Sequence, residues 1–114
     1  MKLPNAQSAI VPERKVTHYL LNPAHIAGGC KARFFLRFGF TVAEWRQLAE
    51  ALLRHARESE VAATEQTAHG ARYVVDGPLT APDGSLLNIR SAWYIHLHGD
   101  GGPRFVTAHP LPKL

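Results

Sequence analysis

Near residue 58 the spacing of apolar side chains changes from a helical period of about 3.6 to the strand period of 2, and it changes only once. A chain patterned this way reads as helices first and strands second, an α+β arrangement rather than an alternating α/β one. The expected fold is three N-terminal helices packed on one face of a C-terminal four-stranded antiparallel meander sheet. With 114 residues there is material for one hydrophobic core and not two. The whole chain, 1–114, is therefore expected to be one domain: an extended arm over 1–11, a helical half over 12–57 and a sheet half over 58–114.

The first helix is expected from Pro12, whose missing N–H costs nothing in a first turn, with Val16, Tyr19 and Leu20 as its apolar stripe. Asn22-Pro23 stops it, and residues 22–29 form a loop ending in Gly28-Gly29. A second helix follows over about Cys30 to Phe38, with Phe34, Phe35 and Phe38 inward and Gly39 as its terminator. Thr41 and Glu44 form a T-x-x-E capping box for a third helix reaching about Arg57. Trp45, Leu48, Ala49, Leu52 and Leu53 are assigned to its buried face, and Arg46, Glu50, Arg54 and Arg57 to its outer face.

Strands are expected over Val61–Thr67, Ala71–Thr80, Leu86–His96 and Arg104–His109. The breaks between them, Ala68-His69-Gly70, Pro82-Asp83-Gly84-Ser85 and Gly99-Asp100-Gly101-Gly102-Pro103, are short enough to join antiparallel neighbours. Pro78, which cannot donate to a ladder, marks a bulge or an edge position in the second strand.

The formal charge of +4 hides an asymmetry. Residues 1–57 carry nine Lys and Arg against three Glu, a surplus of six; residues 58–114 carry four against six acids, a deficit of two. Such a field draws polyanions or is simply a solvated basic surface. A composition of 46% apolar and 19% charged residues excludes disordered and fibrous chains. One cysteine cannot close an internal disulfide, no secretion signal is evident, and no apolar run nears the roughly 18 residues that span a bilayer. A cytoplasmic protein, with no membrane contact, is the expectation.

Two cations stand where packing does not call for them. Lys31 shares a helical face with Phe34, Phe35 and Phe38; it either snorkels to water or is held inward beside the loop. With the N–H groups at that helix start, Gly28 and Gly29, and with His25, it outlines a phosphate site. On the third strand, Leu87, Ile89, Ser91, Trp93 and Ile95 point to the core, while Asn88, Arg90, Ala92, Tyr94 and His96 form the opposite row. That row is either the solvent side of a half-covered sheet or a face for a nucleotide strand, with Arg90 to pair phosphate and Tyr94 to stack. His96 and His98 share a strand face and His109 lies on the next strand. His98 falls in the turn, however, and no acidic or cysteine ligand stands at zinc spacing, so no metal or other cofactor is expected. Cys30 reads as a small apolar core residue.

The strings LPNA (Leu3 to Ala6), YLLNPAH (Tyr19 to His25), GGCKARFF (Gly28 to Phe35), RYVVDGPLTAPDG (Arg72 to Gly84), IRSAW (Ile89 to Trp93) and PRFVTAHPL (Pro103 to Leu111) resemble a family of uncharacterised bacterial proteins of about this length. Its members occur beside a small partner gene in a toxin and antitoxin-like arrangement, or as terminal modules of larger secreted toxins. The resemblance implies that context here, with a small cognate antitoxin-like partner, and points to His25, Gly28, Lys31, Arg90, Ser91, Trp93, Arg104 and Thr107. The order of helices then sheet is also similar to the barnase and RelE-like superfamily of small endoribonucleases, an analogy at the level of fold.

Cutting RNA without a metal needs a base for the ribose 2′-hydroxyl, cations for the charge growing on phosphorus, and an acid for the leaving oxygen. The expected function is a toxin-type, metal-independent endoribonuclease acting on RNA. His25, Lys31, Arg90, Arg104 and Thr107 are its candidate catalytic groups, with His25 or His109 to move protons and Lys31, Arg90 and Arg104 to hold the phosphate, and Gly28, Gly29, Asn88, Ser91 and Tyr94 its phosphate and RNA contacts. Two alternatives stay open: a non-catalytic binding or adaptor module, such as the neutralising partner, and a nucleic-acid-binding protein without hydrolase activity. The sequence leaves homo-oligomerisation undecided.

Overall fold

The computed structural model describes residues 1–26 and 29–112. After a 3-10 turn at Ala6–Ser8, the first helix, α1, is made of an α-helical turn at Glu13–Lys15 that continues as a π-helical stretch, Val16–Leu20. Helix α2 covers Gly29–Arg37 and α3 Trp45–Glu58. Four strands follow: β1 Glu60–Thr67, β2 Gly70–Thr80, β3 Leu86–His96 and β4 Arg104–Pro110. They form one sheet in the order β1-β2-β3-β4, every pair antiparallel. The α+β class, the helices-then-sheet order and the simple meander are thus as the change of period predicts.

Helix ends follow local chemistry. Pro12 precedes α1, Gly39 follows α2 with φ at 101°, a conformation costly for any residue carrying a Cβ, and the Thr41 hydroxyl accepts the Glu44 N–H at 3.2 Å. That cap belongs to a turn over 42–44, so regular α3 begins only at Trp45.

The core lies between the helices and one face of the sheet. Leu48, Leu52 and Ala56 of α3, Val16 and Leu20 of α1, and Phe35 and Phe40 meet Val75, Ile89, Trp93, Phe105 and Ala108 of the strands. The inward set on β3 is as expected through Trp93, whereas Ile95 is only half-buried. Strand β1 is almost bare: only Val61 is shielded. Its pairing with β2 ends at Asp76, which leaves Pro78 where β2 has no outer neighbour and its missing donor costs nothing. Cys30 corrects one expectation, since it is exposed, with its sulfur 3.2 Å from Arg33 Nη2. The arm is tied down along its length: Val61 N–H donates to Met1 O, Leu3 and Ala6 are buried, and Ile10 pairs with the free edge of β4. Among the described residues no helix is long and apolar enough to cross a membrane.

Candidate functional site

An extra residue in β4 shifts its register against β3, so that Ala92 faces Thr107 while Trp93 faces Phe105. The bulge turns Phe105 into the core and leaves Thr107 and His109 on the open face, the side of the sheet that the helices do not cover. The open face then reads in rows across β2, β3 and β4: Asp76, Arg90, His109; Val74, Ala92, Thr107; and Arg72, Tyr94, Arg104.

Helices α1 and α2 reach this face around the β4 edge. Lys15 Nζ donates to the Val106 carbonyl at 3.1 Å. Lys31 Nζ donates to Tyr19 Oη at 2.6 Å and to Thr107 Oγ1 at 3.2 Å, and the two hydroxyls are themselves 2.8 Å apart. The three groups close a triangle drawn from α1, α2 and β4. The Lys15 and Lys31 ammonium groups stand 5.6 and 5.2 Å from the centroid of the Tyr19 ring, and the His25 ring packs edge-on against it at 5.0 Å. Burial raises the Tyr19 pKa, but the hydrogen bonds from Lys31 and Thr107 and the charges of Lys31 and Lys15 outweigh it. The phenol consequently ionises below its ordinary value of 10.0. Lys31 is accordingly held inward, on hydroxyls, and does not snorkel.

Arg90 has a structural partner that the sequence reasoning did not name. Asp76 stands directly opposite on β2 and takes both Nε and Nη2 at 2.8 Å. The Arg90 hydrogen bond holds the Asp76 carboxyl below its usual range and raises the guanidinium. Three of the five N–H donors of Arg90 remain for other uses. Arg90, Thr107 and His109 line one cavity, so Thr107 joins the Lys31 triangle to the Arg90 row.

The other expected residues lie elsewhere. Arg104 is exposed one row away, beside Tyr94, and lines a different depression with Asp100 and Gly102. Tyr94 Oη is bound to Thr67 Oγ1 at 2.6 Å, and Asn88 Nδ2 donates to the Pro112 carbonyl at 3.1 Å near the far end of the sheet. Gly29 begins α2 and gives its N–H to the His25 carbonyl at 2.9 Å; Gly28 lies outside the described residues. Ser91 is a correction. It is fully buried on the core face, where its hydroxyl accepts the Trp93 indole N–H at 2.8 Å and meets His55 Nδ1 at 3.0 Å, so it has no surface to offer a ligand. His96 and His98 border a surface depression with His69, but no group of three metal-ligating side chains is gathered among the described residues.

Tyr19, Asp76 and Arg72 were missed as site residues, whereas His109 is one of the two histidines that sequence reasoning offers as proton carriers. Tyr19 had a signal: it is the one member of the α1 stripe with a polar tip. For Asp76 the signal was register, since pairing β2 with β3 through the turn at 82–85 sets it against Arg90.

The fold recurs in a chain of a contact-dependent growth inhibition toxin and immunity protein complex from Klebsiella pneumoniae 342. The two superpose with a TM-score of 0.74 at 16% identity, over 96% of this chain and 98% of that one. No curated protein matches the chain. A family described as a domain of unknown function, DUF6883, matches residues 2–112, and the chain belongs to that family.

Proposed function

We propose that this chain is the toxin component of a toxin and immunity pair, a metal-independent endoribonuclease centred on Lys31, Tyr19 and Thr107. The observation that carries the reading is the closed triangle of Lys31 Nζ, Tyr19 Oη and Thr107 Oγ1, with spacings of 2.6, 3.2 and 2.8 Å, at the rim of a cationic sheet face. Lys31 is held by two hydroxyls and, among the described residues, by no carboxylate, so an incoming phosphate competes with no acidic side chain for it. A phenol with a lowered pKa gives up its proton more readily than a free one and, once ionised, can accept the proton of a hydroxyl.

In this reading a phosphate of the RNA lies against Lys31 and Thr107, with the free N–H groups of Arg90 on its other side. Tyr19, as phenolate, takes the 2′-hydroxyl proton while the 2′-oxygen attacks phosphorus. The bond to the 5′-oxygen breaks, and His109 or His25 supplies the proton that this oxygen needs. The products are a 2′,3′-cyclic phosphate and a 5′-hydroxyl end, formed without water or metal. Lys31 stabilises the charge on the nonbridging oxygens, the largest single contribution in reactions of this kind. Arg104 and Tyr94, one row further along, extend the strand's path across the sheet.

The complex from Klebsiella contains a toxin and an immunity protein, and a chain resembling the second would be the neutralising partner. A polar triangle of this kind favours the first. The large exposed apolar residues, Met1, Ile10, Ile26, Val42, Leu86 and Leu97, come from the arm, the loops and both ends of β3.

The test is cleavage of total and oligomeric RNA by the purified chain in the presence of a chelator. Lys31→Ala and Tyr19→Phe are each expected to lower the rate at least 100-fold, of the order of a lost charge-stabilising or proton-transfer group. A 2′-deoxy sugar at the cut should abolish cleavage. A rate unchanged in both variants would exclude this site.

A further inference from the structure

We propose that the cavity beside Thr107 is a base-reading pocket for guanine, placed next to the phosphate being cut; the inference rests on the nuclease reading above. The cavity has a volume of about 180 Å³ and is lined by Arg72, Val74, Arg90, Ala92, Thr107 and His109. Sites for drug-sized ligands run to roughly 300–1,000 Å³, so this one takes a single ring system and not a whole nucleotide. Thr107 belongs both to the cavity and to the Lys31 triangle, which sets whatever fills the cavity beside the reacting phosphate.

Its floor and its rim differ in chemistry. Val74 and Ala92 stand directly opposite one another on β2 and β3, and Ala92 is only 2% exposed. A phosphate gains nothing from an apolar floor, whereas the face of a base does. The rim carries two guanidinium groups in unlike states. Arg90 is fixed by Asp76, while Arg72 makes no ion pair among the described residues although it is half-buried. A guanidinium that holds no carboxylate presents a planar fork of donors that matches a base edge with two adjacent acceptors. Guanine offers that pair in O6 and N7, where adenine offers one acceptor beside a donor.

Short single-stranded RNAs that differ at one position, guanine, inosine, 7-deazaguanine or adenine, test the pocket through relative cleavage rates. Inosine keeps both acceptors and should be cut like guanine. Loss of one good two-point contact should slow 7-deazaguanine and adenine roughly tenfold. Arg72→Lys keeps the charge and the fold but loses the fork, and the guanine-to-adenine ratio should fall about tenfold toward unity. An unchanged ratio, or equal slowing of all four RNAs, would mean that Arg72 is an unspecific cation and overturns the pocket. Calorimetric titration with guanosine 3′-monophosphate against adenosine 3′-monophosphate reads the same preference without cleavage. A chain that prefers the guanosine nucleotide through Arg72 yet cuts no RNA keeps the pocket and refutes the nuclease. Cleavage without base preference keeps the nuclease and refutes the pocket, and neither binding nor cleavage refutes both.

Discussion

The buried hydrogen-bond chain that ends at His55 assigns a proton to each of its atoms. Both carbonyls near Nε2, Gly77 O at 3.1 Å and Ile89 O at 3.0 Å, can only accept, so Nε2 carries hydrogen. Neutral imidazole then accepts from the Ser91 hydroxyl at Nδ1, and Ser91 accepts from the Trp93 indole. Every polar atom is satisfied with His55 uncharged. Burial lowers the His55 pKa below its ordinary 6.5, against the pull of the Ile89 and Gly77 carbonyls and the Asp76 charge. The unfolded chain therefore binds a proton at His55 that the folded chain refuses. That stability is fully present above pH 6.5 and is lost as the pH falls below it. Urea midpoints of the native chain should drop between pH 8 and pH 5.5 by more than those of His55→Gln, which cannot titrate; equal drops would show that His55 does not set the slope. Removing Ser91 instead should cost about 1–3 kcal/mol, because it strands two buried partners at once. The heptad from Leu48 places position 55 on the core face, but a stripe read from apolar residues passes over a histidine.

At the scale of elements, the candidate site depends on how α2 is set against the loop before it. A Cβ on Gly29 would lie 2.7 Å from the Pro23 carbonyl oxygen, a backbone atom that cannot swing aside. Gly29→Ala should push α2 away from that loop, displacing Lys31 from Tyr19 and Thr107. The expected result is at least a tenfold loss of RNA cleavage, since misplacement of catalytic groups by about an ångström costs up to 100-fold. Melting temperature tells this from unfolding, because a shift of only a few degrees is expected for about 1 kcal/mol. Most of the elements were legible because alternation and turn chemistry agree locally: β3 occupies Leu86–His96 as its pattern demands. The π-helical stretch at Val16–Leu20 and the bulge opposite Ala92 were not legible, and both act at the site. Each is one extra residue in a regular element, fixed by tertiary packing that no local pattern records. The bulge decides that Thr107 faces Lys31, so the convergence of those two residues could come only from coordinates.

Across the whole molecule, the arginines on the outer face of α3 and the candidate site occupy opposite sides of the sheet, while Lys15 and Lys31 of the same helical half reach round to the site. Arg46 and Arg57 project from the outer side of α3, which packs its inner side on the core face, whereas Arg72, Arg90, Arg104 and His109 lie on the open face. A helix about 10 Å across and the sheet itself separate the two sets, more than the Debye length of about 8 Å at physiological salt. The outer arginines should then add little to RNA binding, although they contribute to the positive surplus of the helical half. With the non-cleaving Tyr19→Phe chain and a labelled single-stranded RNA, three phosphate contacts, one each from Lys31, Arg90 and Arg104, predict a log–log salt slope near −2, about −0.7 per contact. Arg104→Ala should flatten that slope by about 0.7. The double variant Arg46→Ala/Arg57→Ala should leave it unchanged within error, and its cleavage rate within about twofold of the native chain, as surface charges beyond screening distance permit. If the double variant flattened the slope and Arg104→Ala did not, the nucleic acid would be lying on the helices, and the open sheet face would lose its claim to be the site.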